Sequence, residues 1–192
     1  MLITITGSSG SGKSSISEYL CSLDKNIVHL NIDTVGHEVL DMPEIKKIIS
    51  KRFHLKIEND KINRKELGDL IFNNHQNMKQ ISDITWKVME KLIDNFIIEN
   101  QNKIVILDWI LIPKTKYFKI SDISILIKSD FNTRMKRATR RDGINENAFR
   151  NEAVSIAKYF DAIGDYQLAE YIMGLIAESN LYVPQASDFE SE

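Results

Sequence analysis

Eight residues near the amino terminus form a glycine-rich pattern suited to binding phosphate. The segment Gly7-Ser8-Ser9-Gly10-Ser11-Gly12-Lys13-Ser14 has the spacing G-x-x-x-x-G-K-[ST]. Glycines let the backbone curl so that several N–H groups point at one anion, while the lysine reaches the β- and γ-phosphates and the serine hydroxyl binds Mg²⁺. The pattern predicts a nucleoside triphosphate site. Its expected contacts are Gly7, Ser9, Gly10, Ser11, Gly12, Lys13, Ser14 and Ser15.

Two aspartates follow apolar runs that are typical of strands. Asp33 comes after residues 26–32, and Asp108 comes after residues 103–107. Phosphoryl transfer needs a base for the acceptor hydroxyl and a carboxylate that organises Mg²⁺. We predict that Asp33 is the base, because it ends a strand next to the one that feeds the phosphate loop. We predict that Asp108 is the carboxylate that organises Mg²⁺. A helix cap at either residue, or a solvent-facing strand end at Asp108, is the alternative, and the division of the metal role between the two stays open.

A basic segment follows the fourth predicted strand. On a helix Arg134, Arg137 and Arg141 share one face, and Gly143 marks the helix end. Guanidinium groups bind phosphate oxygens in a bidentate way that lysine does not. The segment therefore predicts a lid, at about 131–150, that brings arginines to the transition state, with a solvated basic helix face as the alternative.

The elements that must position these residues alternate along the chain. Apolar and β-branched runs predict strands at 1–6, 26–32, 103–107 and 122–127. Helical spacing predicts helices at 15–23, 64–73, 77–100 and 131–142, with a turn at 58–61. This alternation predicts an α/β fold, in which helices cover both faces of a parallel sheet and ligands gather at the carboxyl ends of the strands.

Composition narrows the class of protein. A length of 192 residues with 43% hydrophobic content fits one globular domain, or a core domain with an inserted or appended lobe. A net charge of −2 gives no support for a nucleic-acid surface. Cys21 is the single cysteine, so we expect neither a disulfide framework nor a zinc set. No apolar run is long enough to span a bilayer. Because the chain opens directly into a core strand, we expect no signal peptide and a cytoplasmic location.

The carboxyl-terminal part has a different charge. All 25 lysines and arginines precede Phe160, whereas seven of the 27 acidic residues follow Tyr159. An acidic tail that shields a basic site is one interpretation, and a solvated terminus is the interpretation that we favour.

Taken in order, these motifs resemble the dephospho-CoA kinase family, a P-loop group that is similar to nucleoside monophosphate kinases. The string Asn31-Ile32-Asp33 with His37 is similar to the family's Asp-Ala-Asp strand end with its downstream arginine. Residues 62–74 resemble the R-x-x-L…I-F-x-(N/D) helix of its CoA-binding lobe, and residues 135–142 resemble its lid signature. The resemblance runs from the phosphate loop to about Gly143.

The resemblance implies an ATP-dependent kinase that uses Mg²⁺ and phosphorylates the ribose 3′-hydroxyl of dephospho-CoA, the last step of coenzyme A biosynthesis. Together with the charge pattern, the resemblance leads us to expect one P-loop kinase domain over 1–192, with a core of 1–33 and 101–160, a helical acceptor lobe at about 34–100, the lid, and an acidic segment at 160–192. Asp33 would be the base. The catalytic candidates are Asp33, Lys13, Arg137 and Arg141; the substrate-binding candidates are His37, Arg64 and Asp108; the metal candidate is Ser14.

Three segments depart from the family's pattern. Thr85-Trp86 stands where the family has His-Pro, Asp108-Trp109-Ile110-Leu111-Ile112-Pro113 replaces Asp-x-Pro-Leu-Leu-Phe-Glu, and His37 replaces an arginine. These departures leave two alternatives, namely a divergent nucleoside or nucleotide kinase and a nucleotide-binding regulator without catalysis. A GTPase switch at Asp33-Thr34-Val35-Gly36 is rejected because no N-K-x-D motif follows it.

Overall fold

The computed structural model describes residues 1–72, 74–143, 145–151 and 154. These residues fall into two compact units. The first joins Met1–Thr6 to Lys13–Leu126, and the second joins Gly7–Gly12 to the described residues from Ile127 onward. The acidic segment at 160–192 lies outside the described residues.

The order of elements follows the predicted alternation of strands and helices. The first unit contains β1 (Leu2–Thr6), α1 (Lys13–Leu23), β2 (Ile27–Asn31), α2 (Ile32–Asp41), α3 (Pro43–Phe53), β3 (Ile57–Glu58), β4 (Lys61–Ile62), α4 (Arg64–Phe72), α5 (His75–Glu99), β5 (Ile104–Asp108), a 3-10 turn (Ile112–Lys114), α6 (Lys116–Ile120) and β6 (Ile123–Leu126). The second unit contains α7 (Phe131–Asp142) and helical residues at 146–151.

Four parallel strands form the sheet of the first unit, in the order β2-β5-β1-β6. The predicted α/β fold, with a parallel sheet flanked by helices, is therefore confirmed. One expectation about the sheet is wrong, because β2 is not next to β1. Strand β5 lies between them, and its last residue, Asp108, is in register with Ile5 on one side and Asn31 on the other.

Helices α2, α3 and α5 share one apolar core with the sheet. The core includes one fully buried aliphatic side chain from each of these elements: Val39 on α2, Ile49 on α3, Ile93 on α5 and Leu107 on β5. Burying an aliphatic side chain of this size stabilises a fold by about 1.5–3 kcal/mol. The helices between β2 and β5 are thereby fixed to the sheet edge from which α2 starts.

Polar side chains and glycine decide where the elements begin and end. The strand predicted to reach residue 32 stops at Asn31, because the Asn31 side chain accepts a hydrogen bond from the Thr34 N–H at 3.2 Å and starts α2. The side chain of Asp130 caps α7 in the same way, and Gly143 ends it with φ of 66°. The observed bounds of α7 match the predicted ones.

The predicted turn at 58–61 is the tip of a small hairpin. Asn59 and Asp60 both have positive φ, 49° and 59°, and connect β3 to β4. The buried Lys46 ammonium donates to the Asp60 backbone carbonyl at 2.6 Å and pairs with the Asp60 carboxylate at 2.7 Å. These contacts fix the hairpin to α3.

Across the described part of the chain, no helix combines the length and the apolar character that crossing a membrane requires.

Candidate functional site

The carboxyl edge of the sheet brings together side chains that the sequence places far apart. Lys13 and Ser14 begin α1, Asn31 ends β2, Asp33 lies in the first turn of α2, and Asp108 ends β5. Asn31 and Asp108 are direct neighbours in the strand register. The first unit therefore presents an ammonium, a hydroxyl and two carboxylates at the position where parallel sheets bind ligands.

Asn31 connects the start of α1 to the start of α2. Its Nδ2 donates to Ser14 Oγ at 3.1 Å, while its Oδ1 accepts from the Thr34 backbone N–H. The two bonds fix which end of the amide faces each partner. This role of Asn31 was not predicted, although a cap-forming residue directly before a helix was the available signal.

Asp33 is held by an indole that sequence analysis did not assign. Trp109 Nε1 donates to Asp33 Oδ1 at 2.8 Å. Asp33 is the second residue of α2 and Asn31 is the cap, so the alternative that Asp33 caps a helix starting at Thr34 is wrong. His37, one turn along the same helix, is exposed.

The surroundings of Asp33 change its acidity. Loss of water around the carboxylate raises the pKa of Asp33, although part of the residue stays accessible to solvent. The Trp109 hydrogen bond and the positive charges of Lys13 and His37 oppose this rise in the pKa, and the negative charge of Asp108 adds to it. The pKa of Asp33 therefore depends on the charges of Lys13 and Asp108.

Asp108 is fully buried, with no exposed surface. His29 Nε2 lies 2.7 Å from Asp108 Oδ2, a distance at which a ring N–H donates to a carboxylate. Asp108 Oδ1 has no hydrogen-bond partner among the described residues. The alternative of a solvent-facing strand end is therefore wrong. The contact of His29 was not predicted; the available signal was its position two residues before Asn31, on the same side of β2.

The oxygens at this edge fit Mg²⁺. Ser14 Oγ and Asp108 Oδ1, which lacks a hydrogen-bond partner among the residues that the structure describes, are hard oxygen donors of the kind that this ion prefers. Across the described residues, no group of three or more His, Cys, Asp or Glu side chains could hold a metal by itself. Mg²⁺ is usually bound through one or two protein groups together with substrate phosphates and water. The donor set therefore suits an ion that arrives with a nucleotide.

In the second unit, the phosphate loop depends on glycine for close backbone approach. Gly10 has φ of 74°, and a Cβ there would lie 2.4 Å from the Arg134 carbonyl oxygen. At Gly7 the same atom would lie 2.5 Å from the Ile127 carbonyl oxygen. Neither position accepts a side chain without movement of the backbone. The Ser11 N–H bonds to the Ser8 carbonyl at 3.1 Å and closes the turn.

The three arginines that were predicted to share a face have different surroundings. Arg134 is buried and donates from Nε to the Ser129 carbonyl, whereas Arg137 and Arg141 are exposed. Arg137 Nη1 donates to the Ser11 carbonyl at 3.4 Å. Only the last two are placed to offer a guanidinium group to solvent or ligand.

Arg141 binds its neighbour in the sequence. Its Nε and Nη2 donate to the two Asp142 oxygens at 2.6 and 2.7 Å, and this fork lowers the pKa of Asp142.

Arg64, one of the three candidates for substrate binding, is the first residue of α4. The binding and catalytic roles predicted for all residues of the candidate site, with those of Ser9, Ser15, His37 and Arg64, stay predictions.

Comparison with known proteins identifies the family. A family model of dephospho-CoA kinases (CoaE) matches residues 1–159. The chain belongs to the dephospho-CoA kinase family. Family membership makes it an ATP-dependent kinase, as the sequence analysis predicted.

Individual relatives agree with the family match. A dephospho-CoA kinase of Gamma-proteobacterium EBAC31A08 is 30% identical over 154 residues, which cover 79% of this chain and 77% of the relative. One from Fusobacterium nucleatum is 26% identical over 147 residues, covering 76% and 75%. One from Campylobacter jejuni is 28% identical over 195 residues, covering 98% and 90%.

Solved structures show the same fold at lower sequence identity. TT1252 from Thermus thermophilus has a TM-score of 0.68 at 19% identity and covers 77% of this chain and 75% of its own. Dephospho-CoA kinase from Campylobacter jejuni has a TM-score of 0.50 at 22% identity, with coverage of 92% and 96%.

Proposed function

We propose that this kinase transfers the γ-phosphoryl group of ATP to the ribose 3′-hydroxyl of dephospho-CoA, the last step of coenzyme A biosynthesis. The observation that carries the proposal is the Asp33 carboxylate at the sheet edge, oriented by Trp109 and electrostatically coupled to Lys13 and Asp108. Family membership supports both the donor and the acceptor.

Asp33 acts as the base in this proposal. Its carboxylate takes the proton of the 3′-hydroxyl as that oxygen attacks the γ-phosphorus, the bond to the β,γ-bridging oxygen breaks, and ADP leaves. A raised pKa brings a carboxylate closer to neutral pH, where a general base is most effective. Placing one such base contributes about 100-fold or more to the rate.

Positive charge and backbone N–H groups hold the transferring phosphoryl group. We assign the ammonium of Lys13 and the guanidinium groups of Arg137 and Arg141 to neutralising its oxygens, and the loop at 7–12 to binding the phosphates through its backbone. Ser14, with Asp108 acting through water, would hold Mg²⁺, which supplies further neutralisation of phosphate charge when bound.

The helices between β2 and β5 are assigned to the acceptor, with His37 and Arg64 as contacts. A pocket in this region is lined mainly by polar and charged side chains, which suits a polar acceptor such as a nucleotide. Its lining consists of His54, Lys56, Glu58, Asn63 and Glu66. We assign the enzyme to the cytoplasm, where ATP and Mg²⁺ are available.

An acceptor panel tests the substrate. The full chain is given ATP and Mg²⁺ with dephospho-CoA, nucleosides or nucleoside monophosphates, and phosphorylated products are identified by mass spectrometry and phosphorus NMR. A 3′-phosphorylated product from dephospho-CoA supports the proposal. A product only from nucleosides or nucleotides, or ATP binding without turnover with any acceptor, would contradict it.

The base is tested separately. Asp33→Asn should lower the turnover of dephospho-CoA by at least about 100-fold while ATP still binds with an affinity close to that of the unmodified enzyme. Asp83→Asn, an exposed carboxamide substitution on α5, is the control. Turnover by Asp33→Asn within a few-fold of the control would remove the base assignment.

A further inference from the structure

The two tryptophans of the chain stack on each other. The rings of Trp86, from α5, and Trp109, directly after β5, have centroids 5.6 Å apart and planes at 10°. Offset stacking of this kind contributes about 0.5–1.5 kcal/mol beyond the burial of apolar area. Each tryptophan stands in a segment where the chain departs from the family's pattern, so the two departures meet in one contact.

Trp109 is constrained on three sides. Its backbone N–H donates to the Ile5 carbonyl at 3.1 Å, its ring lies on Trp86, and its indole N–H donates to Asp33 Oδ1 at 2.8 Å. An indole has only two side-chain torsions, and contacts at the backbone, ring face and N–H leave little rotational freedom. The direction of the N–H is therefore set before a substrate arrives.

The indole bond in turn orients the carboxylate. It engages Oδ1 of Asp33, so the role of taking a proton falls to Oδ2. A base that is displaced by about 1 Å can lose about 100-fold in rate. A fixed donor on one carboxylate oxygen limits rotation of the group and keeps the other oxygen at one place.

We propose that Trp109 is a positioning residue that aims Asp33 at the acceptor hydroxyl, and that Trp86 sets the plane of the Trp109 indole by stacking. This inference rests on the base role proposed above for Asp33. It adds a linked aromatic pair, outside the phosphate-binding motifs, to the residues that set the transfer rate.

Removing only the indole N–H tests the first part. Trp109→Phe keeps an aromatic ring for Trp86 and removes the donor, so kcat with dephospho-CoA should fall about tenfold, the equivalent of one hydrogen bond to a charged group, while KM for both substrates changes less than about twofold. In an Asp33→Glu background, where the carboxylate is displaced from the indole, Trp109→Phe should have almost no further effect on kcat.

The result that would overturn this part is equal loss in both backgrounds, because the indole would then act independently of Asp33. An unchanged kcat in Trp109→Phe would overturn it as well. Thermal unfolding of each variant identifies loss of folded protein. Failure of the proposed function differs from both outcomes, because the unmodified enzyme would then leave dephospho-CoA unphosphorylated.

The stacking part is tested at Trp86. Trp86→Phe keeps a ring against Trp109 and should retain kcat within about twofold, whereas Trp86→Ala should lower kcat about as much as Trp109→Phe does. Equal kcat values for Trp86→Ala and Trp86→Phe would overturn the role of the stack.

A measurement without substrate checks the geometry. In Trp86→Phe, Trp109 is the single tryptophan, and its fluorescence reports its own surroundings. Asp33→Ala in that background removes the acceptor of the indole N–H and should shift the emission maximum. An unchanged spectrum would show that the indole bond is absent, whatever the enzyme's activity.

Discussion

The carboxyl edge of the sheet, in the first unit, and the phosphate loop, in the second unit, position their residues by different kinds of contact. At the sheet edge, side chains hold side chains across long stretches of sequence: Trp109 holds Asp33 from 76 residues away, and His29 holds Asp108 from 79 residues away. In the second unit, backbone atoms carry the key contacts. Gly10 lies against the Arg134 carbonyl, and Arg137 donates to the Ser11 carbonyl.

The difference predicts different consequences of mutation. At the sheet edge, the identity of a side chain determines the chemistry, so substitutions should change rates before they change stability. In the loop, the absence of a side chain determines the shape, so an added methyl group should change stability as well as phosphate binding.

The largest expected effect is at Lys13. Lys13→Ala removes the ammonium assigned to the β- and γ-phosphates, and kcat/KM for ATP should fall by about 1,000-fold. Steady-state kinetics with dephospho-CoA as acceptor measures the loss. Lys25→Ala, at an exposed lysine of the same unit, is the control. If Lys13→Ala kept an activity near that of the control, the assignment of Lys13 to the β- and γ-phosphates would be wrong.

Arg137 should have the next largest effect. Arg137→Gln removes a guanidinium group assigned to the transition state, and kcat should fall by about 100-fold. Arg137→Lys keeps the charge but loses the planar fork, so it should recover only part of that loss. Arg140→Gln, three residues along and also exposed, should stay close to the unmodified enzyme. Equal loss at both arginines would indicate that the helix contributes a diffuse positive field.

Gly10 tests the role of the backbone. Gly10→Ala places a methyl group 2.4 Å from the Arg134 carbonyl oxygen at φ of 74°, and the free energy of unfolding should fall by about 2 kcal/mol or more. Gly143→Ala is a matched control, because φ there is 66° but no atom of the described residues lies within 4 Å of the added atom. It should cost about 1 kcal/mol, from backbone strain alone. Denaturant unfolding compares the two, and similar losses would mean that close approach at Gly10 is unimportant.

The features that could be predicted from sequence are encoded locally. The bounds of α7 follow from a cap at Asp130 and a glycine at 143, and the phosphate loop follows from spacing within eight residues. The strands β1 and β5 could likewise be predicted from their apolar runs.

The contacts that could not be predicted depend on the order of strands. Asp108 meets His29 because β5 inserts between β1 and β2, and no local pattern encodes that order. The Trp109 bond to Asp33 depends on the same insertion. The carboxylates could therefore be found from local patterns, whereas the side chains that hydrogen-bond to them could not.

The smallest expected effect is a change in folding stability in Asp33→Asn, which is distinct from the loss of turnover in the same variant. Loss of water around the carboxylate raises its pKa in the folded chain, so folding favours the protonated form. The folded state binds more protons than the unfolded state between the two pKa values, and this contribution to stability is lost as pH rises through the folded pKa. Asp33→Asn keeps an acceptor for the Trp109 N–H but carries no charge, so at neutral pH it should be slightly more stable than the unmodified chain.

The gain should shrink as pH falls from the raised folded pKa toward the ordinary aspartate pKa of 3.8, and it should be absent below 3.8, where Asp33 is protonated in both the folded and the unfolded chain. Because part of Asp33 is exposed, solvent screening keeps the effect small. Thermal unfolding of Asp33→Asn, the unmodified chain and Asp83→Asn across this pH range measures it. A difference that does not depend on pH would mean that desolvation of Asp33 has no energetic cost. A pH-dependent gain in stability, together with lost turnover, would show that the charged form of Asp33 lowers the stability of the folded chain and is needed for turnover.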